Sequence, residues 1–596
     1  MELILMEENI KLAYRNMKKN DGSTTPGVDG KTIEHLAKMT EKEVIELVRN
    51  KLEWYTPKAI RRVEIDKGNG KKRPLGIASI EDRLIQQCIL QVLEPICEAK
   101  FHDRSNGFRP NRGVENALAQ AEKLIQSNKL YIVVDIDIKG FFDNVSHGKL
   151  LKQLWTIGIQ DKKLISIISA MLKGEIAEIG FPEKGTAQGS IISPLLSNVV
   201  LNELDWWIAS QWEFMPTRHV YKEAIKANGT QSKSKKYRAL RNSTLKECFI
   251  VRYADDFKIF CRKHKDAVVM FEATKQWLKT RLGLDISPEK SKIVNLKHSY
   301  SEFLGFRIKV HKKGKDTKCK PPVDKYVVKS HISEKALKKI KTNAKERIIA
   351  IQKTNGSRAG EYAIRDYNSF VMGMQNYYSM ATCVNPDIQT LAYEIKTSIK
   401  IRLNTRVKRR TNEALTPYLS ERYGKSKELR FINGVPLVPI GYVQHRVPLH
   451  KKAVVNKYTA EGRKEIHKQL ETVDIERVHE LMRNPISNET VEFNDNCVSL
   501  FVAQRGKCAI CKLPLTLENM RCVRKIPKSC GGDDKYNNLI IVHKEMERLI
   551  KSQDNKEIKR ILNKYKLESN QRRKVNTIRK NAGLEEIDVK ALDKEL

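Results

Sequence analysis

Two adjacent carboxylates, Asp255 and Asp256, stand between two β-prone runs in residues 248–261. The flanking runs predict a β-hairpin with the acids at its tip. Like charges about 4 Å apart repel by roughly 4 kcal/mol at an effective dielectric constant of 20, so this tip favours a bound cation. A divalent ion would remove the repulsion and supply chemistry on phosphates. The alternative is an ordinary hairpin turn, where Asp is common.

A second β-branched run, residues 130–138, carries Asp135 and Asp137 among apolar residues. Alternation places both acids on one face of the predicted strand, although Asp is disfavoured within strands. Asp137 lies nearest the strand end and is the predicted metal ligand, whereas Asp135 could be a solvated neighbour. Asp143 follows, and we interpret it as a helix N-cap.

Several short blocks accompany these acids in a fixed order. They are GVDG (27–30), KRPLGI (72–77), SNGFRP (105–110), DIKGFFD (137–143), GTAQGSIISPLL (185–196), YADD (253–256) and FLGF (303–306). In these blocks the chain resembles the reverse transcriptases encoded by group II introns. The resemblance implies a multidomain α+β protein, a right-hand polymerase whose fingers and palm include an antiparallel palm sheet. An α-helical thumb, a small basic DNA-binding region and a C-terminal HNH-like ββα domain would follow.

The resemblance also implies a domain order along the chain. The expected ranges are 1–128 for the N-terminal extension and fingers, 129–310 for the palm with a basic insertion at 218–247, 311–424 for the thumb or maturase domain, 425–485 for the DNA-binding region, and 486–596 for the HNH-like domain.

A two-metal polymerase site is implied at the acids, with Asp137, Asp255 and Asp256 holding two Mg²⁺ ions. One ion would lower the pKa of the primer 3′-hydroxyl, and the other would neutralise the triphosphate and the leaving pyrophosphate. Phe142 resembles the steric gate that rejects a ribose 2′-hydroxyl. Ordinary core packing by Phe141 or Phe142 is the alternative.

Four further residues are predicted to contact substrate. Lys67 and Arg73 flank a Gly-Asn-Gly turn, where a basic hairpin could clamp the incoming triphosphate. Gln188 lies in a small-residue loop that template or nucleotide could approach, although Ala187 stands where the family usually has Pro. Tyr253 begins the YADD motif.

Composition points to a polyanionic partner. Of 596 residues, 111 are Lys or Arg and 71 are Asp or Glu, which gives a formal net charge of +40. A merely solvated basic surface is a poor explanation, because the self-repulsion would be large. Neither a signal peptide nor a run of transmembrane length is visible. With eleven scattered cysteines, the chain is expected to be soluble and to occupy a reducing compartment, either the bacterial cytoplasm or an organelle.

The C-terminal region resembles an HNH nuclease whose chemistry is damaged. Asn538 and His543 remain, but Val523 and Arg524 stand where the family has paired His residues, and Glu547 replaces a further His. Val cannot accept a proton and Arg stays charged. We therefore predict a folded domain that does not cleave DNA.

Four cysteines of the same region form a candidate structural zinc site. A Cys-x-x-Cys pair is moderate evidence for zinc, and a complete set of four ligands would be strong evidence. Unligated thiols are the alternative. The residues are Cys508, Cys511, Cys522 and Cys530.

The resemblance and the charge together predict an RNA-directed DNA polymerase that is also an intron maturase. It would bind group II intron RNA, assist splicing, and copy the inserted intron RNA during retrohoming into target DNA. Its substrates would be an RNA template, a DNA primer and dNTPs, and no membrane is implied. The alternatives are a host-adopted reverse transcriptase used in phage defence or DNA repair, and an RNA chaperone that acts only in splicing.

Overall fold

The computed structural model describes residues 1–66, 72–222, 232–316, 321–354, 358–409, 414–452, 454–467 and 474–588. These residues form two compact units. The first comprises Met1–Lys100, Ser146–Leu196 and Val454–Leu596, and the second comprises Phe101–Val145 and Ser197–Ala453. Helices and strands occur in both, as the sequence predicts for an α+β protein.

The strands, in chain order, are β1 Arg61–Asp66, β2 Lys72–Ile77, β3 Ser105–Asn106, β4 Ile132–Ile136, β5 Cys248–Tyr253, β6 Asp256–Cys261, β7 Lys292–Asn295, β8 Ser301–Phe303, β9 Phe306–Asp316, β10 Val323–Ile332, β11 Val407–Lys408, β12 Arg430–Ile432, β13 Val435–Leu437, β14 Met520–Arg524 and β15 Leu539–His543.

The α-helices are α1 Glu2–Leu5, α2 Glu7–Lys18, α3 Ile33–Ala37, α4 Glu41–Glu53, α5 Ile80–Glu98, α6 Val114–Gln126, α7 Phe141–Asn144, α8 His147–Thr156, α9 Lys162–Leu172, α10 Ser193–Ser210, α11 Ser234–Arg241, α12 His264–Trp277, α13 Glu334–Lys353, α14 Arg358–Tyr378, α15 Val384–Leu403, α16 Pro417–Tyr423, α17 Ala460–Ile466, α18 Ile475–Arg483, α19 Val491–Ala503, α20 Lys544–Lys551, α21 Asn555–Tyr565 and α22 Ser569–Asn581.

A five-stranded sheet in the second unit has the order β3-β5-β6-β4-β7. The pairs within β5-β6-β4-β7 are antiparallel, and only the two-residue strand β3 pairs in parallel, with β5. Every residue of β4 is buried, which explains its continuous β-branched run, because a strand covered on both faces reads as apolar throughout. The predicted hairpin is confirmed as β5–β6.

The second unit also contains a second antiparallel sheet, β10-β9-β8, three long helices, α13 to α15, and a small sheet, β11-β12-β13. Helix α13 is amphipathic. Its buried residues are Ile340, Ala344, Ile348 and Ile351, and four such positions at intervals of three or four place one apolar stripe against the neighbouring helices.

The first unit joins the N-terminal helices to the C-terminal helices. The Tyr14 hydroxyl of α2 donates to Glu492 on α19 at 2.6 Å, and Lys18 donates to Asp495 at 3.1 Å. The backbone N–H of Val491 also donates to Met39 O at 2.9 Å. Chain segments nearly five hundred residues apart therefore share one packed unit.

The C-terminal region has a hydrophobic core that includes Phe493, Phe501, Ile541, Met546 and Leu549. Its hairpin β14–β15 leads directly into α20. The order is therefore two strands and a helix, and its identification as an HNH-like domain stays a prediction. In the described part of the chain, no helix is both long and apolar enough to cross a membrane.

The sequence interpretation of Asp143 is wrong. Asp143 is the third residue of the short helix α7, and the N-cap position is occupied by Gly140, whose φ of +53° lies in the left-handed region. A turn that needs this backbone conformation favours glycine, so the chain uses Gly140 rather than an acidic side chain to begin α7.

Candidate active site

The strand pairing brings the three predicted catalytic acids to one edge of the five-stranded sheet. In the antiparallel register of β4 and β6, Ile136 pairs with Phe257. One step further places Asp137 opposite Asp256, and directly opposed residues have Cβ atoms about 4.5–5.5 Å apart. Asp255 precedes Asp256 in the hairpin turn. We call Asp137, Asp255 and Asp256 the acidic edge.

The turn that carries Asp255 is tight and strained. Ala254 has a φ of +55°, a conformation that costs a non-glycine residue about 1–2 kcal/mol. Its N–H donates to Asn106 O at 2.9 Å. Gly107 allows this approach, because a Cβ there would meet Ala254 N at 2.9 Å and the Tyr253 ring at 3.1 Å. Asn106 of β3 therefore fixes the position of the turn through this hydrogen bond.

Arg252 also stabilises this turn, and the sequence interpretation did not identify it. Its side chain is fully buried and donates to both carboxylate oxygens of Asp205 on α10, at 2.7–3.0 Å. It also donates to Ala254 O at 2.8 Å and to Ser105 Oγ at 2.6 Å. An Arg inside the apolar run of β5 is the available sequence signal, because a buried charge needs a partner.

Asp137 is fixed through its backbone, and its carboxylate faces a cation. Its N–H donates to Ser291 Oγ at 3.2 Å, and its carbonyl accepts from Ser287 N at 2.7 Å. Lys290 Nζ donates to Asp137 Oδ2 at 3.0 Å. Both side chains of this ion pair are exposed, so the pair adds little stability and can be displaced.

Asp135 is not the solvated neighbour that the sequence suggested. It is buried, and it accepts from Lys258 Nζ at 2.7 Å and from Ser301 Oγ at 3.1 Å. The side-chain alternation of β4 directs it into the interior, where a carboxylate requires such partners. Asp135 thus neutralises Lys258 within the sheet.

The negative charges of the acidic edge repel one another. Solvent reaches Asp256, but the surrounding protein limits its hydration. Desolvation by the surrounding protein raises the pKa of Asp256 to about 6. The positive charge of Lys258 lowers this pKa, whereas the negative charges of Asp135, Asp255 and Asp137 raise it further. Crowded carboxylates of this kind are stabilised by a cation.

The donor set of the acidic edge fits a divalent metal ion only in part. Across the described ranges, no three His, Cys, Asp or Glu side chains are grouped to hold a metal ion, and this includes the three acids. Mg²⁺ commonly takes one or two carboxylates and completes its octahedron with water and phosphate oxygens. The charge surplus and the all-oxygen donors are therefore compatible with Mg²⁺ that arrives together with a nucleotide.

We expect the repulsion among these carboxylates to make the thermal stability of the metal-free protein depend on pH. Because the pKa of Asp256 is raised from 3.8 to about 6, the folded chain holds a proton that the unfolded chain releases. That stabilisation is complete below about pH 3.8 and is lost as the pH rises through about 6. In a chelator, the thermal midpoint of wild type should therefore fall more over this window than that of Asp256→Asn. Parallel pH profiles of the two proteins would contradict the assignment.

Three aromatic residues close in sequence to the acids belong to the same unit. Phe141 is buried, whereas Phe142 is half-buried and meets Phe108 edge to face with ring centroids 6.4 Å apart. Phe141 therefore takes the core role that the sequence left open between the two rings. Tyr253 is also half-buried. The roles of Phe142 and Tyr253 in substrate binding stay predictions.

The remaining predicted substrate contacts belong to the first unit. Lys67 lies outside the described residues. Arg73 is exposed on β2, where it pairs with Ile65 of β1. Gln188 is half-buried, and its carbonyl accepts from Gly76 N at 2.6 Å. The structure therefore places the Gln188 loop against the β1–β2 hairpin that carries Arg73.

The residues of the predicted nuclease-like motif make structural contacts. Val523 is part of the core. Arg524 donates to Asp534 at 2.7 Å and to Glu489 at 3.0 Å, and it lies over Phe493 at 4.3 Å. A guanidinium held in this way cannot accept a proton from water.

The two retained nuclease-type residues stabilise local structure. The Asn538 side chain donates to Ile526 O at 2.9 Å and accepts from Ile526 N at 2.9 Å. His543 caps α20, with Nδ1 accepting from Glu545 N at 3.2 Å, and burial lowers its pKa. Glu547 pairs with Lys551 at 2.8 Å. Each of these side chains therefore has a structural role, and the loss of cleavage stays a prediction.

The structure does not bring the four candidate zinc ligands together. Cys508 accepts from the backbone N–H groups of Ile510 and His543 at 3.4 and 3.3 Å, and it neighbours Cys511, whose hydrogen bond lowers the pKa of Cys508 to about 6. Pairing of β14 with β15 instead directs Cys522 toward Cys497 of α19. Cys530 is exposed in a separate turn. The four-cysteine site is therefore a wrong prediction for this arrangement.

Comparison with known proteins identifies the family. Residues 65–308 match the family described as reverse transcriptase (RNA-dependent DNA polymerase). The group II intron-encoded protein LtrA of Lactococcus lactis subsp. cremoris is 31% identical over 420 residues, covering 63% of this chain and 69% of LtrA. Protein YkfC of Escherichia coli strain K12 is 31% identical over 318 residues, which cover 52% of this chain and 82% of YkfC. The putative COX1/OXI3 intron 1 protein of Saccharomyces cerevisiae is 28% identical over 421 residues, covering 63% and 49% of the two chains.

The family match and the intron-encoded relatives show that the chain is a reverse transcriptase. The chain belongs to the family of group II intron-encoded proteins, the reverse transcriptases and maturases of these introns. The resemblance that the sequence blocks predict is thereby confirmed at the level of the family.

Proposed function

We propose that the acidic edge catalyses RNA-templated DNA synthesis by the two-metal route. The observation that supports this proposal is the register of β4 and β6, whose last pair, Ile136 with Phe257, is followed by Asp137 on one strand and preceded by Asp256 on the other. Bound Mg²⁺ would lower the pKa of the primer 3′-hydroxyl and neutralise the triphosphate. Asp137, Asp255 and Asp256 would together hold the two metal ions.

The protein's own residues position these acids. Arg252 and Asn106 hold the Ala254 turn, so that Asp255 and Asp256 need not reorganise when substrate binds. Lys290 balances the Asp137 charge until a metal ion replaces it. Phe142, which is free of the core role taken by Phe141, would select against a ribose 2′-hydroxyl. Pre-organisation of this kind lowers the cost of reaching the transition state.

RNA-templated primer extension in the presence of Mg²⁺ tests this proposal. Wild-type protein should extend a DNA primer on an RNA template, and the reaction should stop in a chelator. Purified, folded protein that binds the primer–template but does not extend it would refute the proposal.

We further propose that the protein acts as a maturase on group II intron RNA. The formal charge of +40 exceeds what one duplex-sized groove requires, and the matched relatives include intron-encoded proteins. RNA that copurifies with the protein should be enriched in intron sequence, and its binding should weaken steeply with salt. Copurified RNA that mirrors the cellular pool would count against this role.

The domain ranges drawn from the sequence are part of the same proposal. Residues 129–310 would form the palm around the five-stranded sheet, and the helices α13 to α15 would form the thumb. The hairpin β14–β15 with α20 would be the HNH-like domain. Such functional ranges differ from the two compact units, which each combine several chain segments.

We expect the purified protein to leave target-site DNA uncut in Mg²⁺ or Mn²⁺. Val523 is buried in the core and Arg524 is held by Asp534, so neither can act as a general base. Gel analysis of supercoiled and end-labelled target DNA measures the cut strands. Efficient nicking that disappears in His543→Ala would show that the domain is active after all. Without cleavage, primers for retrohoming would come from elsewhere, such as strands at a replication fork.

A further inference from the structure

Helices α21 and α22 of the first unit are joined as a helix–turn–helix. Helix α21 ends at Tyr565 and α22 begins at Ser569, so residues 566–568 connect them. Lys566 adopts the left-handed conformation with a φ of +44°, and its N–H donates to Leu562 O at 2.9 Å. Two helices joined by a turn of three or four residues are typical of DNA-binding helix–turn–helix motifs.

The turn is fixed by burial and by a cap. Leu567 is buried, and the N–H of Glu568 donates to Gln571 Oε1 at 2.9 Å, which satisfies a donor at the start of α22. Helix α20 packs against both α21 and α22. The three helices therefore share one apolar core, to which they contribute Leu549, Ile558, Ile561, Val575 and Ile578.

Arg579 anchors the inner side of α22 to α20. Its side chain is buried, and Nη1 donates to Leu549 O at 3.0 Å and to Ser552 O at 2.6 Å. Its Nε donates to Glu585 O at 2.8 Å. Because the last carbonyls of a helix have no partner within that helix, this guanidinium caps α20 and fixes the position of α22.

The outer side of α22 is polar and cationic. Positions three, four and seven residues apart lie on one side of a helix, and in α22 such a set is exposed and contains no acidic side chain. We call this set the α22 face, and it consists of Asn570, Arg573, Lys574, Thr577, Lys580 and Asn581. Lys580 meets Glu586 at 3.8 Å, but both side chains are exposed, so this pair is easily displaced.

Helix α21 carries a second row of exposed cations. Lys556, Arg560 and Lys564 are spaced four residues apart, although Arg560 also meets Glu545 at 3.6 Å. Residues 544–581 contain 13 Lys or Arg against 5 Asp or Glu, which favours a polyanionic partner. In helix–turn–helix proteins the second helix enters the major groove and the first crosses the phosphate backbone, and the charges of α21 suit that contact.

We propose that the α22 face binds in the major groove of double-stranded DNA. This groove, about 12 Å wide, admits an α-helix, and Arg, Lys, Asn and Thr are side chains that bind base edges there. The major groove of double-stranded RNA is too narrow for side chains to read. Binding of single strands uses aromatic stacking and binding of a membrane surface needs an apolar face, and the α22 face offers neither. The proposal requires neither polymerase nor cleavage chemistry.

Photocrosslinking of the full chain tests where DNA binds. The probes are a short DNA duplex, the RNA duplex of the same sequence, and the single strands of each. Thr577→p-benzoylphenylalanine places a photoreactive group in the middle of the α22 face and should crosslink mainly to the DNA duplex. Lys163→p-benzoylphenylalanine, at an exposed position of α9 in the same unit, should crosslink at least tenfold less.

A pair of neutral substitutions tests the charge of the α22 face. Arg573→Gln with Lys574→Gln should weaken binding of the DNA duplex at least tenfold, and the slope of log affinity against log salt should fall by about two. Lys162→Gln with Lys163→Gln removes two adjacent exposed cations from α9 and should change neither quantity. Both double variants should retain primer extension on a short RNA template, which shows that they are folded.

Three results would each overturn the proposal. The first is that the Thr577 variant fails to crosslink to the DNA duplex. The second is that this variant crosslinks to the RNA duplex or to single strands as strongly as to the DNA duplex, which would make the α22 face a general or RNA-binding surface. The third is that Arg573→Gln with Lys574→Gln binds the DNA duplex as wild type does.

Discussion

Asp256→Asn should reduce RNA-templated primer extension roughly a thousandfold or more, since several kcal/mol of transition-state charge stabilisation depend on metal held there. Asn has the shape of Asp but not its charge. The variant should remain folded, because one of several crowded negative charges has been removed. Single-turnover extension measures the rate, and thermal unfolding in a chelator measures the stability.

Two control variants separate metal binding from folding. Asp285→Asn removes an exposed acid that pairs with Lys279 and should leave both rate and stability near wild type. Asp135→Asn breaks a buried pair with Lys258 and should lower stability. If Asp256→Asn keeps activity within about tenfold of wild type, the acidic edge is not the catalytic centre.

Arg252→Met should destabilise the protein by about 3–5 kcal/mol, the usual cost of removing one partner of a buried ion pair. Asp205 would keep its charge without the guanidinium that satisfies both of its oxygens. The Ala254 turn would lose a hydrogen bond at the same time, so polymerase activity should fall further than stability alone requires. Urea unfolding and primer extension of the variant measure the two effects.

An exposed ion pair that involves the same helix, α10, provides the matched control. Glu203 of α10 binds Arg281, whose side chain is largely exposed, so Arg281→Met should cost about 0–1 kcal/mol. The double variant Arg252→Met with Asp205→Leu should recover much of the stability, because both buried charges are gone. It should not recover activity. Equal stability of Arg252→Met and wild type would remove the structural role that we assign to this pair.

The sequence was sufficient for the hairpin and its acids. Apolar runs on both sides of YADD predict β5 and β6, and the β-branched run at 130–138 predicts β4. Their register was beyond the sequence, because antiparallel pairing of distant strands is set by tertiary packing. The motifs therefore predict which acids are involved, whereas the pairing of Ile136 with Phe257, next to Asp137 and Asp256, comes from the folded chain.

The partners of polar side chains could not be predicted from the sequence. Asp135 and Asp137 have the same side-chain direction by alternation, yet the first is neutralised by Lys258 and the second meets Lys290. The sequence predicts that Cys522 joins Cys508 in one zinc site, but in the structure the Cys522 side chain contacts Cys497. Each error arose where residues far apart in the chain decide the surroundings of a side chain.

The link between α2 and α19 has a consequence for synthesis on the ribosome. Tyr14 binds Glu492, which lies 478 residues later in the chain. At about 5–20 residues per second, the Tyr14 side chain is made roughly 24–96 s before its partner emerges. The first helices must therefore stay soluble without that partner for most of translation. Nascent chains halted before α19 should be recognised by chaperones through this exposed helix face.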